Sequence, residues 1–223
     1  MTERWILKEE TISNVEAQGQ TIPIWIGIQG GTCAGKTTFA NELVARLGSE
    51  NSAIVCLDSF FKPYDRKANA ANVTAYNFDH PSSLDWPVLE AAVLSLSSGQ
   101  PTRIPEFEYE SGFLLAGQEL RTQKYMIIEG LWPFFYEPLF DRLDISVFID
   151  TPADLRLARL LLRNIVGGTR GWTIQTALAY YLECVRPMQS EYIDKGKELA
   201  DIVVNGDGPL DSGVENVIRA LGL

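Results

Sequence analysis

The feature that most constrains this chain is the segment Gly30-Gly31-Thr32-Cys33-Ala34-Gly35-Lys36-Thr37, which fits the pattern G-x-x-x-x-G-K-[S/T] at every position. An apolar run of strand length, residues 24–28, precedes it, and residues 38–47 follow with apolar side chains at helical spacing. Glycines let a backbone curl so that successive N–H groups point at phosphate oxygens, and a helix N-terminus adds positive potential. The segment therefore predicts a phosphate-binding loop of a nucleotide site. The alternative is a glycine-rich turn that binds no ligand.

The rest of the chain continues this alternation of strand and helix. Apolar runs of strand length recur at residues 53–57, 125–128, 145–149 and, more weakly, 201–204. Helical patterns cover residues 84–97, 152–165, 174–185 and 214–221. Continuous apolar strands between helices are typical of a parallel sheet with both faces covered, so we expect an α/β chain with the P-loop NTPase fold. Residues 102–123 alternate with a period of two and predict an inserted β-hairpin.

Composition and charge exclude several kinds of partner. Lys and Arg number 19 against 29 Asp and Glu, which gives a net charge of −10. A surface this acidic repels nucleic acid and anionic lipid. The three cysteines are widely spaced and there is one histidine, so no structural zinc site is expected. Without a signal-peptide pattern or an apolar run of about 18 residues, we expect a cytoplasmic protein that binds neither nucleic acid nor membrane.

No repeat or low-complexity linker divides the 223 residues. We expect residues 1–22 to be a polar leader and residues 23–223 to form one domain. Within it, Lys36 would reach the β- and γ-phosphates and the Thr37 hydroxyl would hold Mg²⁺. Asp58 and Glu129 follow two apolar strands, at the sheet edge where ligands bind in such folds. Either acid could bind Mg²⁺ or accept a proton; alternatively each is a helix cap or a solvated loop acid.

Three segments resemble a known family. Asp58-Ser59-Phe60-Phe61-Lys62, Tyr76-Asn77-Phe78-Asp79-His80-Pro81 and Ile127-Ile128-Glu129-Gly130 are similar to segments of uridine kinase and its phosphoribulokinase-type relatives, and the resemblance extends over residues 24–206. It implies transfer of the ATP γ-phosphate to a ribose 5′-hydroxyl, with ATP and Mg²⁺ as cofactors and self-association as a homo-oligomer. It also implies that Asp58 is the base and that Asp79 binds the sugar hydroxyls.

The resemblance and the motif together define the candidate site residues. Those implied to be catalytic are Lys36, Asp58, Arg163 and Arg170. Those implied to bind the nucleotide are Gly30, Gly31, Thr32, Cys33, Ala34, Gly35, Lys36, Thr37, Thr38 and Arg159. Those implied to bind the substrate are Asp58, Phe61, Phe78, Asp79, His80, Phe107 and Tyr109. The implied metal ligands are Thr37, Asp58 and Glu129.

Two of these assignments have open alternatives. His80 precedes a proline and would equally cap a turn. Arg156, Arg159 and Arg163 are spaced to share one helix face and lead into a glycine-rich stretch, so residues 163–172 are expected to form a helical lid that closes on phosphates. The alternative is a solvated basic stripe paired with acids such as Asp154.

Four positions depart from the family pattern. Gly112 and Leu114 stand where the base-contacting His and Arg of uridine kinases would fall, and Asn164 and Gly168 replace an acid and an arginine of the lid. A site without polar partners for a nucleobase distinguishes poorly between nucleobases. We therefore expect weak selection of uracil or cytosine. The expected function is an ATP-dependent kinase acting on a primary hydroxyl of a nucleoside or related ribose-containing molecule. The alternatives are a kinase for ribosylnicotinamide, ribulose phosphate or another polyol, and a non-catalytic nucleotide-binding regulator.

Overall fold

A parallel sheet of five strands forms the centre of the molecule. The structure is a computed structural model that describes residues 22–66, 72–166 and 172–223. Its strands, in chain order, are β1 (Ile24–Gly30), β2 (Ser52–Cys56), β3 (Thr102–Glu108), β4 (Phe113–Leu120), β5 (Tyr125–Gly130), β6 (Ile145–Asp150) and β7 (Ile202–Asn205). The sheet has the order β2-β5-β1-β6-β7, and β3 pairs with β4 in a separate antiparallel hairpin. The predicted fold class is therefore confirmed.

The central strands are buried almost throughout and mostly apolar, because both faces of the sheet are covered. Successive residues of β1 alternate between the two cores: Trp25 joins one, whereas Ile26 and Ile28 join the other. Burial on both sides explains why these strands appear in the sequence as continuous apolar runs.

Helices flank this sheet, and the helix of residues 174–180 packs against residues 160–165 in a separate apolar cluster. In chain order the helices are α1 (Lys36–Leu47), α2 (Trp86–Ser97), α3 (Glu137–Phe140), α4 (Ala153–Leu161), α5 (Ile174–Tyr180), α6 (Arg186–Met188), α7 (Gly196–Leu199) and α8 (Asp211–Ala220). Wider π-helical turns extend α4 through Leu162–Val166 and flank α6 at Tyr181–Val185 and Gln189–Ile193. Such turns occur often at functional sites. No helix among the described residues is long and apolar enough to cross a membrane.

The hairpin tip is docked by backbone contacts. The Tyr64 N–H donates to the Gly112 carbonyl at 2.8 Å, and Gly112 has a φ of 81°. A Cβ at Gly112 would collide with the Tyr64 carbonyl. The glycine that departs from the family pattern is thus required by the way the hairpin tip packs in this chain.

The element boundaries differ from the sequence-based ones by up to a few residues. The last helix begins at Asp211, three residues earlier than expected, and Glu129 lies within β5 and not after it. The helical pattern predicted to end at residue 185 continues through α6 and its flanking π turns to Ile193. Apart from Ile22 the proposed leader lies outside the described residues, as do residues 167–171 of the proposed lid. The division into leader and single domain stays a prediction.

Candidate active site

The phosphate-binding loop joins the carboxyl end of β1 to the N-terminus of α1. Its curl is made by left-handed residues, Cys33 with a φ of 62° and Gly35 with a φ of 104°. The Lys36 ammonium folds back over the curl and donates to the Gly31 carbonyl at 3.0 Å. The loop therefore presents a cation and the N-terminal N–H groups of α1, where a phosphate binds well.

The first glycines of the motif are required by packing behind the loop. A Cβ at Gly30 would lie 2.8 Å from the Ile149 carbonyl, and one at Gly31 would collide with the side chains of Gln189 and Arg156. Gly30 and Gly31 do not themselves line the cavity, among the residues that the structure describes, so their expected contact with a nucleotide stays a prediction.

Arg156 does not belong to an exposed basic stripe. It is only 7% exposed and donates to the Thr151 carbonyl and to Gln189 Oε1, both at 3.0 Å. The expectation that it points to the anion site together with Arg159 and Arg163 is corrected, because its guanidinium braces the loop from behind.

Thr37 and Glu129 meet at one corner of the cavity. The Thr37 hydroxyl donates to Glu129 Oε1 at 2.9 Å, and the Cys56 thiol approaches the same oxygen at 3.3 Å. Glu129 is 3% exposed, and burial raises the pKa of its carboxyl group, while the nearby Lys36 acts in the opposite direction. A buried carboxylate with an adjacent hydroxyl fits Mg²⁺, which takes one or two carboxylates and completes its shell with phosphates and water.

Asp58 lies in a 3₁₀ turn, Leu57–Phe60, directly after β2. Because Cys56 pairs with Glu129 across β2 and β5, the two acids come to the same edge of the sheet. Asp58 is also close enough to Glu129 to contribute to the raised pKa of that residue. The Tyr109 hydroxyl, from the hairpin, donates to Asp58 Oδ2. Asp58 thus faces the cavity with one oxygen oriented by a tyrosine.

Asp79 also lines the cavity and is 5% exposed. The Thr32 hydroxyl donates to its Oδ1, and the Tyr180 hydroxyl donates to its Oδ2 at 2.9 Å. Its own N–H donates to the Asn77 side chain at 2.9 Å. A local turn and two distant hydroxyls therefore fix this carboxylate.

The four predicted aromatic residues form one cluster of edge-to-face rings. Phe61 lies 5.2 Å from Phe78 and 5.3 Å from Phe107, and Phe107 lies 5.2 Å from Tyr109, between ring centroids. Phe61, Phe78 and Tyr109 line the cavity, whereas Phe107 is buried behind them. The cluster forms an apolar wall of the cavity, and Phe107 supports it from the core.

His80 has the role of a turn cap in this structure. Its Nδ1 accepts the Ser82 N–H at 3.1 Å, and its Nε2 lies 3.2 Å from the Tyr192 hydroxyl. His80 is not among the described residues that line the cavity. Of the two interpretations of this histidine, the geometry favours the cap over substrate contact.

The two remaining described arginines of this helix face do border the cavity. Arg159 donates to the carbonyls of Ala34, at 3.3 Å, and Gly206, at 2.9 Å, and so ties the loop to the segment after β7. Arg163 lies in the π turn after α4, where its Nε donates to Asn164 Oδ1 at 3.1 Å. Arg170 and Gly168 lie outside the described residues, so their roles stay predictions.

The cavity that these groups share has a volume of about 640 Å³. Its lining includes residues that the sequence reasoning missed, namely Glu42, Leu131, Leu160, Tyr180, Gly206, Gly208, Pro209 and Leu210. The lining residues after β7 could have been predicted from a turn pattern, because Gly206-Asp207-Gly208-Pro209 follows a strand. Tyr180 gave no signal, because its spacing is that of an ordinary buried helix residue.

The parallel sheet, the curled loop and the acids at the strand ends define a P-loop nucleotide-binding protein of the kinase type. The chain belongs to the phosphoribulokinase / uridine kinase family, whose model matches residues 25–208. It is 35% identical to uridine-cytidine kinase B of Dictyostelium discoideum, over 88% of this chain and 77% of that protein. It is 34% identical to uridine kinase of Chloroflexus aurantiacus, over 90% of this chain and 95% of that protein.

A solved structure shows the same fold. Phosphoribulokinase from Rhodobacter spheroides superposes with a TM-score of 0.58 at 14% identity, covering 85% of this chain and 74% of that one.

Proposed function

We propose that this chain is an ATP-dependent kinase that transfers the γ-phosphate to a primary hydroxyl of a nucleoside or a related ribose-containing molecule. The observation that carries the proposal is the convergence of three groups on one cavity. These are the loop with Lys36, the Thr37–Glu129 corner, and the separate carboxylates of Asp58 and Asp79. A phosphate cradle with a base and a diol-binding acid is the set that such a transfer needs.

The roles follow from the positions of the side chains. Phosphoryl transfer requires little covalent help, so catalysis consists mostly of positioning and charge neutralisation. Lys36 is placed to balance charge on the transferring group, and Asp58 to orient the hydroxyl and accept its proton. Asp79 is placed to bind a vicinal diol. Thr37 and Glu129 would hold Mg²⁺, with Asp58 close by, and the ion would neutralise phosphate charge when bound.

The acceptor is the finer part of the proposal. The relatives named as uridine kinases favour a pyrimidine nucleoside. The hairpin favours another acceptor, because Gly112 is used for docking on Tyr64 and Leu114 is 40% exposed and does not line the cavity. Ribosylnicotinamide or a simple polyol would depend less than a pyrimidine nucleoside on polar groups of this hairpin, so both remain candidate acceptors.

The test is release of ADP from ATP in the presence of Mg²⁺, with and without uridine, cytidine, ribosylnicotinamide or D-ribose. We expect release that depends on one of these acceptors, together with a phosphorylated product seen by mass spectrometry. Asp79→Asn should abolish most of the dependence on the acceptor, whereas Asp154→Asn, on the exposed face of α4, should not.

The rival function, a regulator that binds ATP without turnover, gives a different result. It predicts tight binding of ATP by calorimetry with no ADP release in the presence of any acceptor. That outcome would overturn the kinase proposal and leave the nucleotide site intact.

A further inference from the structure

Two hydroxyl groups from distant parts of the chain hold the carboxylate of Asp79. Thr32 belongs to the phosphate-binding loop and donates to Oδ1, and Tyr180 ends α5 and donates to Oδ2 at 2.9 Å. Tyr180 also accepts the Phe78 N–H at 3.2 Å, which ties it to the backbone beside Asp79. We call Thr32 and Tyr180 the hydroxyl clamp.

The clamp holds the Asp79 carboxylate at the wall of the cavity. Asp79 is 5% exposed and Tyr180 is 4% exposed, and both line the cavity together with Thr32. A buried carboxylate needs donors, and an ionised one offers about four acceptor positions. The clamp therefore sets the direction from which hydroxyls of a ligand would approach the carboxylate.

Thr32, one of the two residues of the hydroxyl clamp, belongs to the loop that would bind phosphate, so its position should depend on whether phosphate is bound. Thr32 immediately precedes Cys33, whose φ is 62°, and Lys36 is bonded to the Gly31 carbonyl on the other side at 3.0 Å. A phosphate in the loop competes for Lys36 and for the loop N–H groups, so it fixes the backbone on which Thr32 stands. Whatever fixes Thr32 also fixes Asp79, and such coupling acts equally in both directions.

We propose that Thr32 is a positioning residue that couples nucleotide binding in the loop to acceptor binding at Asp79, with Tyr180 holding the second oxygen. The proposal rests on the proposed function, since it assigns binding roles to the loop and to Asp79. It predicts that an occupied loop orders the segment around Asp79 before any acceptor arrives.

The experiment uses hydrogen–deuterium exchange of the peptide covering residues 76–80, with a non-hydrolysable ATP analogue and Mg²⁺ as the only ligands. Calorimetry sets the analogue concentration that saturates each protein. In the wild type we expect exchange to slow by about fivefold or more, the lower end of ordinary couplings. Thr32→Val, which keeps the shape of the side chain and removes its hydroxyl, should lose this protection, and Thr32→Ser should restore it.

Two tyrosine variants provide the comparison. Tyr180→Phe should speed exchange of the Phe78 amide even without nucleotide, because that amide loses its acceptor. Tyr192→Phe is the matched control, since its hydroxyl contacts His80 next to the same segment at 3.2 Å but does not touch Asp79. It should keep the protection seen in the wild type.

Four results would overturn the proposal. Equal protection in the wild type and Thr32→Val removes Thr32 from the coupling. Loss of analogue binding in Thr32→Val means that the hydroxyl serves the nucleotide directly. Binding of the analogue to the wild type without any protection removes the coupling but leaves the proposed function standing, whereas absence of binding to the wild type removes both.

Discussion

The nucleotide side and the acceptor side of the cavity are built in different ways. The loop on the nucleotide side is one contiguous segment of eight residues, and its shape depends on backbone angles at Cys33 and Gly35. The acceptor side is assembled from the turn after β2, the segment around Asp79, the hairpin and α5, and it depends on side-chain hydrogen bonds. The nucleotide side therefore depends on neighbouring residues of one segment, whereas the acceptor side depends on contacts between distant segments.

The largest effect is expected from the nucleotide side. Lys36→Ala should lower kcat by roughly 10²–10³-fold, the usual loss when a group that stabilises transition-state charge is removed. The fold should persist, because within residues 22–66, 72–166 and 172–223 the Lys36 ammonium makes a single hydrogen bond, to the Gly31 carbonyl. Steady-state kinetics and circular dichroism measure the two quantities. Lys124→Ala, on an exposed residue beside Tyr125, is the control, and a near-normal kcat in Lys36→Ala would show that the loop is not catalytic.

The next prediction separates Asp58, the proposed general base, from Tyr109, the residue that orients it. Asp58→Asn should lower kcat by about 10²-fold or more, within the range for a lost general base, because an amide cannot take the proton. Tyr109→Phe should lower kcat only a few-fold, because Asp58 remains and loses one donor. Measuring both against the same acceptor sharpens the comparison. Equal losses in the two variants would mean that Tyr109 itself acts in the reaction.

The metal corner gives a pH-dependent prediction. Glu129→Gln should raise the Mg²⁺ concentration needed for half-maximal activity by about 10–100-fold, the usual cost of disturbing a metal site. Because burial raises the pKa of Glu129, the carboxyl group still holds its proton above the ordinary Glu range, and Mg²⁺ must displace that proton. The Mg²⁺ requirement of the wild type should therefore fall as the pH rises through this raised pKa.

The same shift has a consequence for stability. The folded state binds the Glu129 proton more tightly than the unfolded state does, so the ligand-free protein should lose stability as the pH rises through the raised pKa. Without ligand, the unfolding temperature of Glu129→Gln should vary less with pH than that of the wild type. If variant and wild type share one pH profile for both the metal requirement and unfolding, Glu129 is not the group that titrates.

The last effect concerns selection of the nucleobase on the acceptor side. Each lost hydrogen bond is worth about 0.5–1.5 kcal/mol, so the departures at Gly112 and Leu114 should weaken pyrimidine selection by roughly one to two orders of magnitude. We expect kcat/KM for uridine and cytidine to fall below that for an acceptor with a different or smaller anomeric group. If uridine leads with a kcat/KM near ~10⁵ M⁻¹s⁻¹, other residues recognise the base.

Sequence reasoning performed best where local pattern and chemistry coincide. The loop, its strand and its helix were predicted because one short motif determines both the backbone curl and the phosphate contacts. Glu129 was identified as an acid at the strand end but lies inside β5, since the boundary of an apolar run is weakly marked by sequence. Arg156 was misassigned because helical spacing identifies a shared face but not whether that face is buried.

The sequence by itself determined the alternation of strands and helices, the phosphate loop and the family, because each depends on residues that are close together in the chain. Only the tertiary structure decided which side chains meet around the acceptor site. Thr32 and Asp79 are 47 positions apart and Asp79 and Tyr180 are 101 apart, so no local pattern reports their contacts. The tertiary structure also shows that His80 caps a turn and that Gly112 docks the hairpin. The physical reason is that packing and hydrogen bonding between distant segments depend on the complete fold, whereas turn and strand propensities are local.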